Sequence, residues 1–198
     1  MFYFKPKKPE EEKKPEINQA NIDLEILTKM NQEFAVSLEL NDTLDTALKV
    51  IIERLNAQAA NIFLINDQKK KFECIASINQ NYLDEYELEL TDGVMAKAVT
   101  QKKCIRVGNV KKDVREIAEF YFDLDNKTNF TTFSVLCSPL IAANECIGVI
   151  HCLNKKTNNK LFEEEDRRLL ETLSAPAAFA IRNAKMVKEM VEKNKIQK

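Results

Sequence analysis

The chain has 198 residues, 44% of them hydrophobic, which is enough for one well-filled core and short for two. With 30 basic and 31 acidic side chains the formal charge is −1, which excludes a general polyanion binder and gives no electrostatic pull toward nucleic acid or an anionic membrane. No stretch approaches the length of a bilayer-crossing helix, and the start, Met1 to Pro6, lacks the apolar run of a secretory signal, so a cytoplasmic setting is expected.

Lys5 to Glu16 alternates Lys with Glu and carries Pro6, Pro9 and Pro15, and residues 1–17 are expected to be a solvated, disordered polar arm. Over 18–40, Ala20, Leu24, Leu27, Phe34 and Leu38 fall in three-four alternation with Asn31 in register. That spacing predicts an N-terminal helix with a coiled-coil seam, a candidate dimer helix. Asn41-Asp42-Thr43 is expected to break the pattern and cap a second helix, whose face Leu44, Ala47, Leu48, Ile51, Ile52 and Leu55 is spaced to lie on a sheet.

Short strand-like segments follow: Asn61 to Asn66 and Lys71 to Ile78 form a hairpin about the Asn66-Asp67-Gln68 turn. Glu87 to Leu90 alternates, Asp92-Gly93 punctuates, Val94 to Thr100 has helical composition, and Cys104 to Val107 reads as a strand. Val114 to Phe122 is predicted helical, and Phe133 to Ile141 and Cys146 to Leu153 are long apolar strands joined by a hairpin at Ala142 to Glu145.

The last helix starts after Phe162 with four acids, Glu163 to Asp166, where the positive end of the helix dipole favours them. Leu170, Leu173, Ala177, Ala180, Ala184, Val187 and Val191 make a second seam, which Pro176 is expected to kink by removing one backbone donor. Residues 186–198 read as the helix end and a basic tail. The order of elements implies an α+β domain over 41–185: an antiparallel sheet with helices packed on one face, long terminal helices, and ligands on the opposite face.

Five cysteines, an odd number without a C-x-x-C pair, lie in apolar runs and read as reduced packing residues. His151 is the only histidine. On a strand it faces away from Ile150 and Cys152, so Cys146, His151 and Cys152 do not make a zinc-like set, and no metal site is expected.

The run Cys146 to Leu153, followed by Asn154-Lys155 and then Phe162-x-x-x-Asp166, resembles the Asn-Lys…Phe-x-x-x-Asp signature of GAF domains from cyclic-nucleotide phosphodiesterases and bacterial adenylyl cyclases. The resemblance covers roughly 42–185. Asp92-Gly93-Val94 is similar to the Gly-initiated helix along the GAF ligand pocket, and Tyr121, Asp125, Thr128 and Thr132 resemble the lid helix and Thr-rich loop that contact a bound cyclic nucleotide. The likeness implies a GAF-like fold and a small-molecule sensor that signals through dimerising helices, rather than an enzyme. Asn154, Lys155, Phe162 and Asp166 are then a structural motif, with Lys155 and Asp166 forming an ion pair clasped by Phe162.

The chemistry of such a pocket can be assigned to residue types. Tyr121 can cover a base, Thr128 and Thr132 can donate hydroxyls, Asp125 can orient them, and the backbone amides of Val94 and Met95 can face a cyclic phosphate. Asn61 and His151 stand where family members that read a purine often have Ser and Glu, and Arg167 replaces a Glu after the signature acid. No cofactor is expected beyond a bound cyclic nucleotide. The expected partners are a small-molecule ligand, a second copy of the chain and a separate output protein. The alternatives are a dimerisation scaffold with a collapsed pocket, and a free methionine sulfoxide reductase using Cys104 and Cys137, for which no thiol-activating neighbour is evident.

Overall fold

The computed structural model describes Thr28 and residues 40–80, 88–91 and 93–196. The arm over 1–17 and the seam residues Ala20, Leu24, Leu27, Asn31, Phe34 and Leu38 lie outside the described residues. Among the described residues no helix is long and apolar enough to cross a membrane.

Helix α1 (Leu40–Leu55) leads into strands β1 (Ala57–Asn66), β2 (Lys71–Ile78) and the short β3 (Leu88–Glu89). Helix α2 (Gly93–Gln101), strand β4 (Ile105–Val107), a 3-10 turn (Val110–Lys112) and helix α3 (Arg115–Thr128) follow. Strands β5 (Val135–Ala142) and β6 (Glu145–Lys155) and helix α4 (Glu164–Ile196) complete the order. The six strands form one sheet, β3-β2-β1-β6-β5-β4, with every neighbouring pair antiparallel.

The central strands carry apolar side chains on both faces, and each face is covered. Ala60, Ile62, Leu136, Leu140, Ile150 and Cys152 pack with Leu44, Leu48, Ile51 and Leu55 of α1 and Leu170, Leu173, Ala177 and Ile181 of α4. Ala59, Phe63, Val135, Cys137, Val149 and Leu153 pack instead with Val94, Met95 and Ala98 of α2 and Ile117, Tyr121 and Leu124 of α3. The long helices thus share one face, and the two short ones roof the face expected to take ligand.

Three local expectations are corrected. Asn41, Asp42 and Thr43 are helical residues inside α1 rather than a cap ahead of it, because Thr43 is buried with Leu44 and Ala47 on its packed face. Helix α3 runs past Phe122 to Thr128, where Asn129 ends it in the left-handed conformation (φ 50°). Cys146 is half-buried while the other four cysteines are buried, and all five are free thiols.

The β5–β6 hairpin closes with Ala143 and Asn144 both at positive φ (49° and 68°), the geometry that matches the twist of a two-residue turn. Gly148 allows β6 to approach β1 closely: an added Cβ would stand 2.1 Å from the Phe63 carbonyl oxygen. In α4 the seam residues Leu170, Leu173, Ala177 and Ala184 are buried, whereas Met186, Val187, Met190 and Val191 are exposed. Helix α4 continues through Pro176.

Candidate functional site

The α2–α3 side of the sheet is apolar except for one row. Strand register places Ser77 of β2 beside Asn61 of β1, Asn61 beside His151 of β6, and His151 beside Cys137 of β5. Alternation along each strand puts all four on the face covered by α2 and α3. A polar row therefore crosses four strands at the middle of a greasy surface.

Asn61 is held at both ends of its amide: Nδ2 donates to Gln80 Oε1 (2.5 Å), and Oδ1 accepts from the Ser77 hydroxyl (2.6 Å). His151 is fully buried, and its Nε2 lies 2.7 Å from the Tyr121 hydroxyl of α3. The two rings stack with an interplanar angle of 17°, and Phe63 meets the imidazole edge-on. Burial holds the imidazole neutral, its pKa pushed down to about 3, and pushes the Tyr121 hydroxyl well above its ordinary value. Nδ1 of His151 is buried and has no hydrogen-bond partner, a state that costs about 1–3 kcal/mol unless something supplies one.

Tyr121 also lines a cleft of about 620 Å³ between α3 and the 110–111 and 129–131 segments, together with Lys111, Phe122, Asp125, Phe130 and Thr131. One side chain thus belongs both to an open cleft and to the buried polar row. Asp125, one helical turn on, uses both carboxylate oxygens on Thr132: Oδ1 accepts from its hydroxyl (2.6 Å) and Oδ2 from its backbone N–H (2.7 Å). The same residue's carbonyl accepts from Phe130 N–H (3.2 Å), so Asp125 shapes the turn that leaves α3. Thr128 is turned back into its own helix, donating to the Leu124 carbonyl (2.8 Å).

Val94 and Met95 are buried in the first turn of α2, in the same apolar cluster as Tyr121. Gly93 starts that helix at φ +62°, and an added Cβ would touch the Phe120 ring at 3.0 Å. Of the expected site residues, the structure joins Tyr121 to His151, Asp125 to Thr132, and Asn61 to the same row as His151. Thr128 is not joined to them by a hydrogen bond.

The Asn-Lys…Phe-x-x-x-Asp segment fastens the site's rim. Asn154, at φ 56°, accepts with Oδ1 from the N–H groups of Phe133 (2.7 Å) and Ser134 (3.2 Å) and donates with Nδ2 to Thr131 O (2.7 Å) and Gln58 Oε1 (2.9 Å). Lys155 Nζ meets Asp166 Oδ1 at 2.5 Å, and Asp166 Oδ2 accepts from Glu163 N–H at the start of α4 (2.8 Å). Phe162 is fully buried, and its carbonyl accepts from Arg106 of β4 (2.9 Å).

Gln80 was not legible as a site residue: it follows β2, its contact with Asn61 depends on the β1–β2 pairing, and no local motif marks it. The thiols are poor nucleophiles: desolvation, with Glu171 nearby, pushes Cys104 up to about 12, and burial raises Cys137 and Cys152 as well. Among the described residues no cluster of His, Cys, Asp and Glu could hold a metal ion.

The sequence of residues 37–182 matches the GAF domain family model. The chain belongs to the GAF domain family. Similar curated proteins include a probable 3′,5′-cyclic phosphodiesterase of Caenorhabditis elegans, 25% identical over 72% of this chain and 18% of that protein. A dual 3′,5′-cyclic-AMP and -GMP phosphodiesterase of Takifugu rubripes is 26% identical over 52% of the chain and 11% of the enzyme. The chain therefore spans less than a fifth of the length of these relatives.

Solved GAF structures share the fold. The GAF domain of an Acinetobacter phosphoenolpyruvate-protein phosphotransferase superposes with a TM-score of 0.70 at 22% identity, covering 84% of this chain and 96% of that one. A free methionine-R-sulfoxide reductase of Neisseria meningitidis superposes with a TM-score of 0.65 at 18% identity, covering 85% and 93%.

Proposed function

We propose that this GAF domain is a regulatory sensor that takes a cyclic nucleotide in the cleft beside α3 that Tyr121 lines, next to the polar row of the sheet, and passes occupancy to a second copy or a separate output protein through α4. The observation that carries the reading is the double membership of Tyr121, which lines the 620 Å³ cleft and bonds to His151 in the middle of the sheet. A ligand that moves Tyr121 acts on the sheet as well as on α3. The ligand class is taken from the phosphodiesterase relatives, of which the Takifugu rubripes enzyme is named for acting on cyclic AMP and cyclic GMP.

In this reading the base lies beside the Tyr121 ring, whose hydroxyl keeps its bond to His151, and Asn61 and His151 meet its edge. The first amides of α2, at Val94 and Met95, face the single phosphate charge, which needs no arginine where helix-end donors are available. Asp125 and Thr132 hold the shape of the rim. Occupancy shifts the equilibrium only by the difference in affinity between two arrangements of α3, so a response at α4 requires that the Tyr121–His151 contact differ between them.

Calorimetric titration with cyclic AMP and cyclic GMP tests the proposal, with Tyr121→Ala as the paired variant. Saturable heat with one nucleotide, weakened at least tenfold in the variant, is the expected result. Heat from neither nucleotide sinks the nucleotide reading.

The second reading is a dimerisation scaffold. It is favoured by the apolar side chains that fill the α2–α3 face and by the exposed Met186, Val187, Met190 and Val191 on α4. Native mass spectrometry separates the two readings, because it reports subunit count and any retained metabolite together. The raised thiol pKa values give no support to sulfoxide reduction by Cys104 and Cys137, and no dithiothreitol-dependent turnover of free methionine sulfoxide is expected.

A further inference from the structure

His151 departs from the acid that its position suggested, and the chemistry it brings differs. A neutral imidazole carries one proton, on Nδ1 or on Nε2. Nε2 is 2.7 Å from the Tyr121 hydroxyl, which has no other hydrogen-bond partner among the described residues. If Nε2 carried the proton and donated to the phenol oxygen, the phenol's own hydrogen would point at nothing and Nδ1 would be left a bare acceptor, so a buried donor and a buried acceptor would both go unmet. With the tyrosine donating to a bare Nε2, that bond is satisfied and the ring proton sits on Nδ1. The burial that keeps the ring neutral also removes the option of a doubly protonated ring.

Nδ1–H is then a fully buried donor with no acceptor. Its strand neighbours offer none: Cys137 is a weak acceptor, and Asn61 is engaged with Gln80 and Ser77. Gln80 is in the same condition. Once its Oε1 meets Asn61, its Nε2 is buried without a partner, and turning both terminal amides over would leave its oxygen unpartnered instead. Unfilled polar valence in this row therefore sits on both sides of Asn61, among groups that carry no charge.

We infer that His151 is a specificity-determining donor, and that the site takes a ligand whose recognised atom is an uncharged acceptor, a carbonyl oxygen or a pyridine-type ring nitrogen, bound by Nδ1–H. The inference rests on the sensor reading above and deepens it by naming the atom that reads the ligand. Ammonium and amino groups are disfavoured there, because each would set a donor against a donor in a dry site. Tyr121 fixes the tautomer, so it acts as a positioning residue for the histidine.

Nitrogen-15 NMR of the histidine-labelled protein tests this directly, since the chain has a single histidine and every signal is assigned at once. The free protein is expected to show a protonated Nδ1 and a bare Nε2. Addition of cyclic GMP or cyclic AMP should move the Nδ1–H proton downfield and slow its exchange with water. In Tyr121→Phe the two tautomers should become mixed while the fold, followed by circular dichroism, is retained.

A protonated Nε2 in the free protein overturns the inference whether or not a nucleotide binds. A nucleotide that binds calorimetrically yet leaves the Nδ1–H resonance unmoved overturns the inference and leaves the sensor reading standing. Absence of binding by both nucleotides overturns the nucleotide reading and, with it, the inference that Nδ1–H reads a bound nucleotide.

Discussion

Lys155 and Asp166 form a salt bridge at 2.5 Å between the end of β6 and the first turn of α4, and the second carboxylate oxygen of Asp166 takes the Glu163 N–H at 2.8 Å. One acid thus both pairs a lysine and satisfies a helix-start donor, which ties the last strand to the helix that leaves the domain. Both side chains are mostly shielded, with 14% and 12% of their surface exposed, so solvent screening removes little of the interaction.

Asp166→Ala should therefore cost about 3 kcal/mol, combining a stranded lysine with a lost helix-start hydrogen bond. Lys155→Ala should cost less, because Asp166 keeps the Glu163 N–H. Urea unfolding of both single variants and the double variant checks this, with the double variant falling short of the sum. Strict additivity would mean that the two side chains do not interact.

Asn154 separates conformation from hydrogen bonding. It sits at φ 56° and holds four polar groups of the 131–134 loop and β1. Asn154→Ala loses both advantages and should destabilise by about 3 kcal/mol, while Asn154→Gly loses only the side-chain bonds and should be about 1 kcal/mol milder. Equal losses in the two variants would show that the left-handed backbone carries no cost here.

The hairpin turn offers a change in the opposite direction. Ala143 holds a left-handed φ of 49° that asparagine and glycine adopt more readily. Ala143→Asn should raise stability by about 0.5–1 kcal/mol, visible as a higher thermal midpoint. A lower midpoint would contradict the strain assigned to this residue.

The pH dependence of stability follows from the histidine. Its folded pKa of about 3 lies below the ordinary value of 6.5, so between these limits the unfolded chain binds a proton that the native one refuses. Stability is complete above pH 6.5 and falls as the pH drops, by about 1.4 kcal/mol per pH unit once well below 6.5. Measured between pH 7.5 and 5, above the range where carboxylates titrate, the loss should be about 2 kcal/mol and should vanish in His151→Phe. A wild-type stability flat across that interval would show that the imidazole is not held neutral.

Residue pattern alone determined much of this protein. The strand segments, the hairpin at Ala142 to Glu145 and the acidic start of α4 follow from periodicity and turn chemistry, and the Asn154 to Asp166 segment carried the family resemblance. Such features depend on neighbours within one or two turns of the chain, so they are readable locally. The helical state of Asn41 to Thr43 was misread for the complementary reason: local capping preference gave way to the burial of Thr43 beside Leu44 and Ala47.

The candidate site was decided only by tertiary structure. Asn61 and His151 could be singled out by type, but that Ser77, Asn61, His151 and Cys137 share one row depends on the register of three separate strand pairings, which no segment encodes by itself. The packing of α3 on the sheet decided that Tyr121 reaches His151, and the extension of α3 to Thr128 that Asp125 spends both oxygens on Thr132. A side chain's chemistry is fixed when the residue is written. Its valence, filled as in Asp125 or left open as in His151 Nδ1, is fixed only when distant segments close around it.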